Sequence, residues 1–225
     1  MKILIVSDEE CPALWEYYTP GKLKDYDLIL SCGDLNAQYL SFLVTMSGKP
    51  VLYVHGNHDT DYHHNPPWGC DCIDDAIVEY NGIRFMGLGG CKKYHEGPHQ
   101  VTEGEMRRRI RRLSWKMKRL GGVDVLVTHA PPEGLGDGDD PAHWGFKALR
   151  DLLDKMPPRY LLHGHVHLRY GEKERVREYN GTTLINACER YTLEIPDVPF
   201  KERNRNCLIW KTRHLIHKDS LDDLR

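Results

Sequence analysis

Side chains able to hold divalent ions recur at five separated places in the 225-residue chain: Asp8 and Glu10, then Asp34, then Asn57, His58 and Asp59, then His129, then His165 and His167. Carboxylates, imidazoles and an amide oxygen form a donor set suited to Mn, Fe, Zn or Ni rather than to calcium. The set holds more donors than one ion needs. A carboxylate such as Asp34 can bridge two ions, and a pair roughly 3.5–4 Å apart is the usual device for displacement at phosphorus. Spacing fits the same chemistry. In extended backbone, residues two apart share a face, which pairs Asp8 with Glu10 and His165 with His167. Glycines precede Asp34, Asn57 and His165 and let the backbone turn sharply beside a ligand.

The elements that would carry these residues are readable from their apolar patterns. Lys2–Ser7, Asp27–Ser31 and Val51–Val54 are short apolar runs of the kind that form strands buried on both faces. Between them lie Pro12–Tyr18 and Asn36–Met46, the latter with helical spacing at Leu40, Leu43 and Val44. This alternation predicts right-handed βαβ units and a mostly parallel sheet. Ala76–Tyr80 and Ile83–Leu88 flank Asn81-Gly82, and Arg175–Tyr179 and Thr182–Asn186 flank Asn180-Gly181. Two such hairpins predict a second, partly antiparallel sheet. Thr102–Leu120 reads as a helix opened by a Thr102/Glu105 capping box, and Val123–Thr128, His143–Met156 and Tyr160–His163 as strand, helix, strand. In open α/β sheets ligands bind just beyond the carboxyl ends of the strands. Asp8, Asp34, the His55–Asp59 run, His129 and the His165/His167 pair all fall there, so the five segments are expected to meet.

Composition bounds the rest. The length suits one sizeable core, and a single domain over residues 1–225 is expected, with 196–225 as an extension that cannot be placed. A formal net charge of −2 advertises neither nucleic acid nor membrane as a partner. The N-terminal apolar run is too short for a signal segment, and no stretch is long enough to span a bilayer. Seven scattered cysteines fit reduced thiols and a cytoplasmic location.

Taken in order, Asp8-Glu9-Glu10, Gly33-Asp34, Gly56-Asn57-His58-Asp59, His129 and Gly164-His165-Val166-His167 resemble the motif series of the calcineurin-like metallophosphoesterases. The resemblance spans roughly residues 1–190. It implies an α/β fold of two facing mixed β-sheets flanked by helices. It also implies a phosphoester hydrolase with two divalent ions, Mn first among them and Fe, Zn, Ni or Mg as alternatives, in which a metal-bridging hydroxide attacks phosphorus in line. By resemblance, Asp8 and His167 would bind one ion with Asp34 bridging, and Asn57, His129 and His165 the other. His58 would contact the substrate phosphate and serve the leaving oxygen, Asp59 would orient its ring, and Asn57 would also face substrate. The family's first motif usually ends in His where this chain has Glu10, which puts the first ion's identity in question.

Compact members of the family favour phosphodiesters, so a small diester is the expected substrate. The alternative is a non-catalytic scaffold, as in the retromer subunit of this fold, and the retained His58-Asp59 pair speaks against it. On the predicted Thr102–Leu120 helix, Met106, Ile110, Leu113, Met117 and Leu120 form an apolar stripe, with Arg108, Arg111, Arg112 and Arg119 around Trp115 opposite. A Trp lying on arginine stems is the plain reading of that face, homo-oligomer contact comes next, and nucleic acid is not favoured. Asp61–Asp75 and Gly87–Gly90 with Tyr94 and His95 are candidate walls around the substrate.

Overall fold

Apolar runs that are buried along their whole length, such as Ile3–Val6 and Leu28–Leu30, can only be covered on both sides, which places parallel strands inside a layered α/β fold. The computed structural model describes residues 1–168 and 174–196. In chain order the strands begin with β1 (Lys2–Ser7), β2 (Leu28–Ser31), β3 (Val51–Tyr53), β4 (Asp71–Cys72), β5 (Ile77–Tyr80), β6 (Ile83–Leu88), β7 (Cys91–Lys92) and β8 (Gln100–Val101). They continue with β9 (Val125–Thr128), β10 (Tyr160–His163), β11 (Val176–Tyr179), β12 (Thr182–Asn186) and β13 (Glu189–Glu194). The helices are α1 (Ala37–Ser47), α2 (Glu103–Leu120) and α3 (Lys147–Lys155).

One sheet has the order β13-β1-β2-β3-β4, parallel except for β13. The other runs β11-β12-β10-β9-β6-β5, with four parallel strands at its centre and a hairpin at each edge. Both hairpins turn at Asn-Gly pairs in left-handed conformation (φ 49° and 77° at Asn81-Gly82, 48° and 77° at Asn180-Gly181), the twist-matched two-residue loop. Ile3, Ile5, Leu30 and Leu52 of the first sheet meet Phe85, Val125, Val127 and Leu162 of the second in a shared core. Helix α1 covers the outer face of the first sheet, with Tyr39, Leu40 and Leu43 buried. Helices α2 and α3 cover the second. The order is therefore helix, sheet, sheet, helix, the two-sheet sandwich expected from the motifs.

Local chemistry sets the helix ends. The Asn36 side chain accepts the Gln38 amide (2.8 Å) at the start of α1. Thr102 and Glu105 form the reciprocal capping box of α2, and Gly121 ends that helix at φ 73°. The α2 stripe is buried at Met106, Ile110, Leu113 and Met117. On its outer face the Arg119 guanidinium lies 4.2 Å from the Trp115 ring centre, the plain reading of that surface.

The structure departs from expectation in several places, the two-residue strands β4, β7 and β8 being unexpected as well. Pro12–Leu14 is a single 3₁₀ turn, because amides of that segment close local turns, as Tyr17 N–H does onto the Pro12 carbonyl (2.8 Å). The helix expected from His143 starts at Lys147. Pro141–His143 forms its own 3₁₀ turn, and Gly145 lies so close to the Pro132 backbone that a Cβ would come within 2.5 Å of it. Strand β13 has no counterpart among the expected elements. The apolar patch Cys207-Leu208-Ile209-Trp210 and the rest of the C-terminal extension from residue 197 lie outside the described residues. No helix among the described residues is long and apolar enough to cross a membrane.

Candidate metal centre

The carboxyl ends of β1, β2 and β3 and of β9 and β10 open on the same side, and the backbone bends abruptly where each ligand leaves its strand. Asp8, Asp34 and His165 all adopt left-handed φ (65°, 56° and 68°), a conformation that costs non-glycine residues of order 1 kcal/mol or more and is held where the surroundings over-determine it. Close approach enforces it. A Cβ on Gly56 would lie 2.0 Å from Asp34 Oδ1, and one on Gly164 would lie 1.9 Å from Ser7 Oγ and 2.5 Å from Asp8 Oδ2. The Asp8 amide donates to the Gly33 carbonyl (3.1 Å), and Asp8 Oδ1 accepts the His165 amide (2.8 Å), lashing the end of β1 to both sheets.

Asp34, His129 and His165 bring one donor atom each to a common point, all within 4.8 Å of one another. His129 is fully buried. Its Nδ1 donates to the Cys32 carbonyl (2.8 Å), so in a neutral ring Nε2 carries a lone pair. That nitrogen faces Asn57 Oδ1 at 3.0 Å and Asp34 Oδ2 at 3.2 Å. A proton on Nε2 satisfies both oxygens, and a cation taking that proton's place would be held by all three groups. His165 is set for the same task. Its Nε2 donates to the Ala142 carbonyl (2.6 Å), leaving Nδ1 as an acceptor.

Titration follows the same logic. Burial would push the His129 imidazole down, but the charges of Asp34 and Asp8 prevail and raise it to about 9. Burial works to raise Asp34, yet the charge and hydrogen bond of His129 hold it below the usual carboxylate range. Burial lowers His165 to about 3, with His129 adding to the effect, so its ring stays neutral. Asp8 is raised by burial, and its Oδ2 is buried without a hydrogen-bond partner. An orphaned carboxylate oxygen beside a neutral imidazole and an acceptor-lined point fits a divalent ion.

The remaining expected residues divide. His58 is exposed, and its amide donates to Asp34 Oδ1 (2.7 Å). Asp59 is buried, and its two oxygens accept the amides of Gly56 (2.7 Å), Asp34 (3.0 Å) and Leu35 (3.2 Å). Among the described residues no hydrogen bond joins it to the His58 ring, and its contacts hold the Asp34 turn. Glu10 Oε1 accepts the Asn36 amide (2.9 Å), and the residue is not among the converging donors. His167 instead meets Glu9, whose Oε1 lies 2.8 Å from its Nδ1, with Cys188 beside them. Glu9, Cys188 and the carbonyls of Cys32 and Ala142 escape the sequence reading. Backbone donors leave no mark on side-chain patterns, and only the left-handed turn at Asp8 selects Glu9 over Glu10 as the neighbour of His167.

The expected walls are partly placed. Trp68, 75% exposed, anchors its loop on α1 through its amide and Ser41 Oγ (2.8 Å). The Gly87–Gly90 run packs against His55 and Asp74 and does not form an open cradle, since a Cβ on Gly89 would sit 2.4 Å from Asp74 Oδ1. Tyr94 and His95 line a surface hollow with Lys92, Lys93 and Thr102.

The model of the calcineurin-like phosphoesterase family matches residues 1–169, three quarters of the chain and every strand that leads into one of the converging donors. The chain belongs to this family. UPF0046 protein K07C11.7 of Caenorhabditis elegans is 24% identical over 222 residues, covering 84% of this chain and 70% of that one. The lariat debranching enzyme of Drosophila pseudoobscura pseudoobscura is 26% identical over 200 residues, covering 64% of this chain. The chain spans only 37% of that enzyme's length. Among solved structures, TT1561 of Thermus thermophilus superposes with a TM-score of 0.58 at 14% identity, over 84% of this chain and 89% of that one, a likeness of fold. Metal-binding phosphoesterase chemistry is thus the family's, and the donor cluster is where this member would carry it.

Proposed function

We propose that this phosphoesterase hydrolyses phosphodiesters in preference to monoesters with two divalent ions, Mn²⁺ first among the candidates. The observation that carries the reading is the buried point where His129 Nε2, Asn57 Oδ1 and Asp34 Oδ2 meet with no proton donor but a charged His129. Asn57, His129, His165 and Asp34 would hold one ion, and Asp8, Asp34 and His167 the other. Bound ions supply Lewis acidity and bring the pKa of water toward neutrality. The chain's own residues do the rest. Asp59 and Gly56 hold the Asp34 turn rigid, the Cys32 and Ala142 carbonyls fix the two imidazole tautomers, and Asn57 would meet substrate through its amide. His58 is exposed, and its ring would hydrogen-bond a phosphate oxygen and deliver a proton to the departing one. The match to enzymes named for debranching lariats supports the diester preference.

The test is hydrolysis of a nitrophenyl phosphodiester beside the corresponding monoester, with Mn²⁺ added and then chelated. Metal-dependent release, faster for the diester, is expected, and His58→Ala should lower it by about two to four orders of magnitude, the span of a general acid. Full activity in that variant would remove His58 from the mechanism. A scaffold role is the second reading. It is favoured by Glu10, which is spent on the Asn36 amide, and by Asp59, which is spent on backbone amides. It predicts bound metal with no release from either ester.

Six cysteines among the described residues are free thiols, which supports action in a reducing compartment such as the cytoplasm on a small soluble ester. The Trp115–Arg119 face is a candidate contact between copies of the chain, ahead of nucleic acid given the near-neutral net charge.

A further inference from the structure

A second group of ligand atoms is assembled by the pairing of β3 with β4, from residues outside the catalytic set. These strands run parallel with Tyr53 opposite Cys72, and the ladder continues through the Ile73 amide onto the Tyr53 carbonyl (2.9 Å). Two residues further along, on the same face, His55 and Asp74 come opposite one another. The register therefore stacks a thiol, an imidazole and a carboxylate along one seam. Their donor atoms all lie within 4.8 Å of one another.

We propose that His55, Cys72 and Asp74 form a further metal site, selective for Zn²⁺ or a similar borderline-soft ion, that braces the loop carrying Asn57, His58 and Asp59. Cys72 Sγ lies 3.7 Å from His55 Nδ1. Sulfur and nitrogen bound tetrahedrally to zinc at ~2.3 and ~2.05 Å are about 3.6 Å apart, so these two donors already stand at the required spacing. Asp74 Oδ2 accepts a hydrogen bond from the same nitrogen (2.7 Å), so a bound ion would displace the Nδ1 proton to solvent and take its place between the two. That distance would have to open to about 3.4 Å, a shift of well under 1 Å for a carboxylate end. A mixed sulfur, nitrogen and oxygen set favours zinc over Mg²⁺ or Mn²⁺. Three protein donors leave a fourth position for solvent, on the side where Cys72 is exposed.

The surroundings hold the donors in place. Asp74 Oδ1 accepts the Gly89 amide (2.8 Å), and the His55 carbonyl accepts the Gly90 amide (2.7 Å). The His99 ring stacks on His55 at 4.4 Å and 9°. His99 itself is in left-handed conformation (φ 58°). His55 is followed directly by Gly56 and Asn57, so an ion on its ring would stiffen the root of the catalytic loop.

The test is a Co²⁺ titration of the metal-free full-length protein, read by near-ultraviolet sulfur-to-cobalt charge-transfer absorption. The cluster of Asp34, Asn57, His129 and His165 contains no sulfur, so the band reports on thiolate ligation alone. A band in the unmodified protein is expected. It should be lost in Cys72→Ser, a surface change the fold tolerates, and retained in Cys188→Ser and Asp34→Asn. Asp74→Asn should weaken the titration that produces it by at least about tenfold. No band in the unmodified protein, or a band that survives Cys72→Ser, overturns the proposal. So does a band that disappears in Cys188→Ser, which would place the sulfur ligand beside Glu9 and His167. Because the readout is spectroscopic, it stands or falls independently of phosphoesterase activity.

Discussion

Asp59 illustrates what one side chain does here. A carboxylate can accept on both oxygens, and this one takes three backbone amides, from Gly56, Asp34 and Leu35, inside a protein interior where burial pushes its own proton affinity up. The Asp34 turn is left-handed and needs that support. In Asp59→Asn one oxygen becomes an NH₂ facing amide N–H groups, which sets donor against donor at a cost of about 1–3 kcal/mol. The expected result is a fall in Tm of about 2–12 °C for a chain of this size, with looser metal binding and an unchanged pH dependence of whatever turnover remains. A variant that keeps its Tm but shifts its pH–rate profile would return Asp59 to the His58 ring. The residue types at this site are legible in the sequence because metals and phosphoryl chemistry restrict donor identity. Their partners are not, since whether Asp59 meets His58 or three amides depends on loop geometry that spacing does not encode. The same holds at Asp8-Glu9-Glu10, where the D-x-E spacing nominates Glu10 and the left-handed bend at Asp8 brings Glu9 to His167.

At the scale of elements, the site depends on how tightly β10 ends against β1. Gly164 follows β10 and passes so near Ser7 and Asp8 that any side chain would displace them. Gly164→Ala should push the ends of β1 and β10 apart by of order 1 Å. Misplacement on that scale costs about a hundredfold in rate. The accompanying loss is expected to be selective, with metal content per chain, measured by elemental analysis, falling toward half as the Asp8 side empties first. A variant with full metal and full rate would show that the close approach is incidental. Elements with strong local codes are legible: the two Asn-Gly hairpins, the capping box of α2, and β10, found with the bounds expected. Strand β13 is not, because an edge strand exposing Arg190, Thr192 and Glu194 has only Tyr191 and Leu193 to mark its inner face, and its pairing with β1 is a long-range matter. Helix α3 is shorter than its pattern suggests because Pro141–His143 also turns helically, and the break comes from Gly145 meeting a distant backbone.

Across the whole molecule, the site is part of the seam between two sheets that share an apolar core. Asp8, Asp34 and Asn57 come from one sheet and His129 and His165 from the other. Without an ion, the seam is closed by the charge on His129, whose folded-state value of about 9 lies above the ~6.5 of an unfolded histidine. A group raised in this way contributes stability that is fully present below about 6.5 and is lost as pH climbs through about 9. The contribution is at most on the order of 3 kcal/mol. A divalent ion replaces that proton and should remove the dependence, while adding about 2.7 kcal/mol when its concentration is a hundredfold above Kd. Thermal unfolding of the chelated and the Mn²⁺-loaded protein should therefore diverge as pH rises from 6.5 to 9, with the loaded protein flat and the chelated one falling by several degrees. In His129→Gln, which carries no proton to lose, the chelated protein should be less stable at pH 6.5 and show little further fall to pH 9. Parallel curves for the two states of the unmodified protein would mean that no ion takes the place of the His129 proton, and the cation assigned to that point would have to be abandoned.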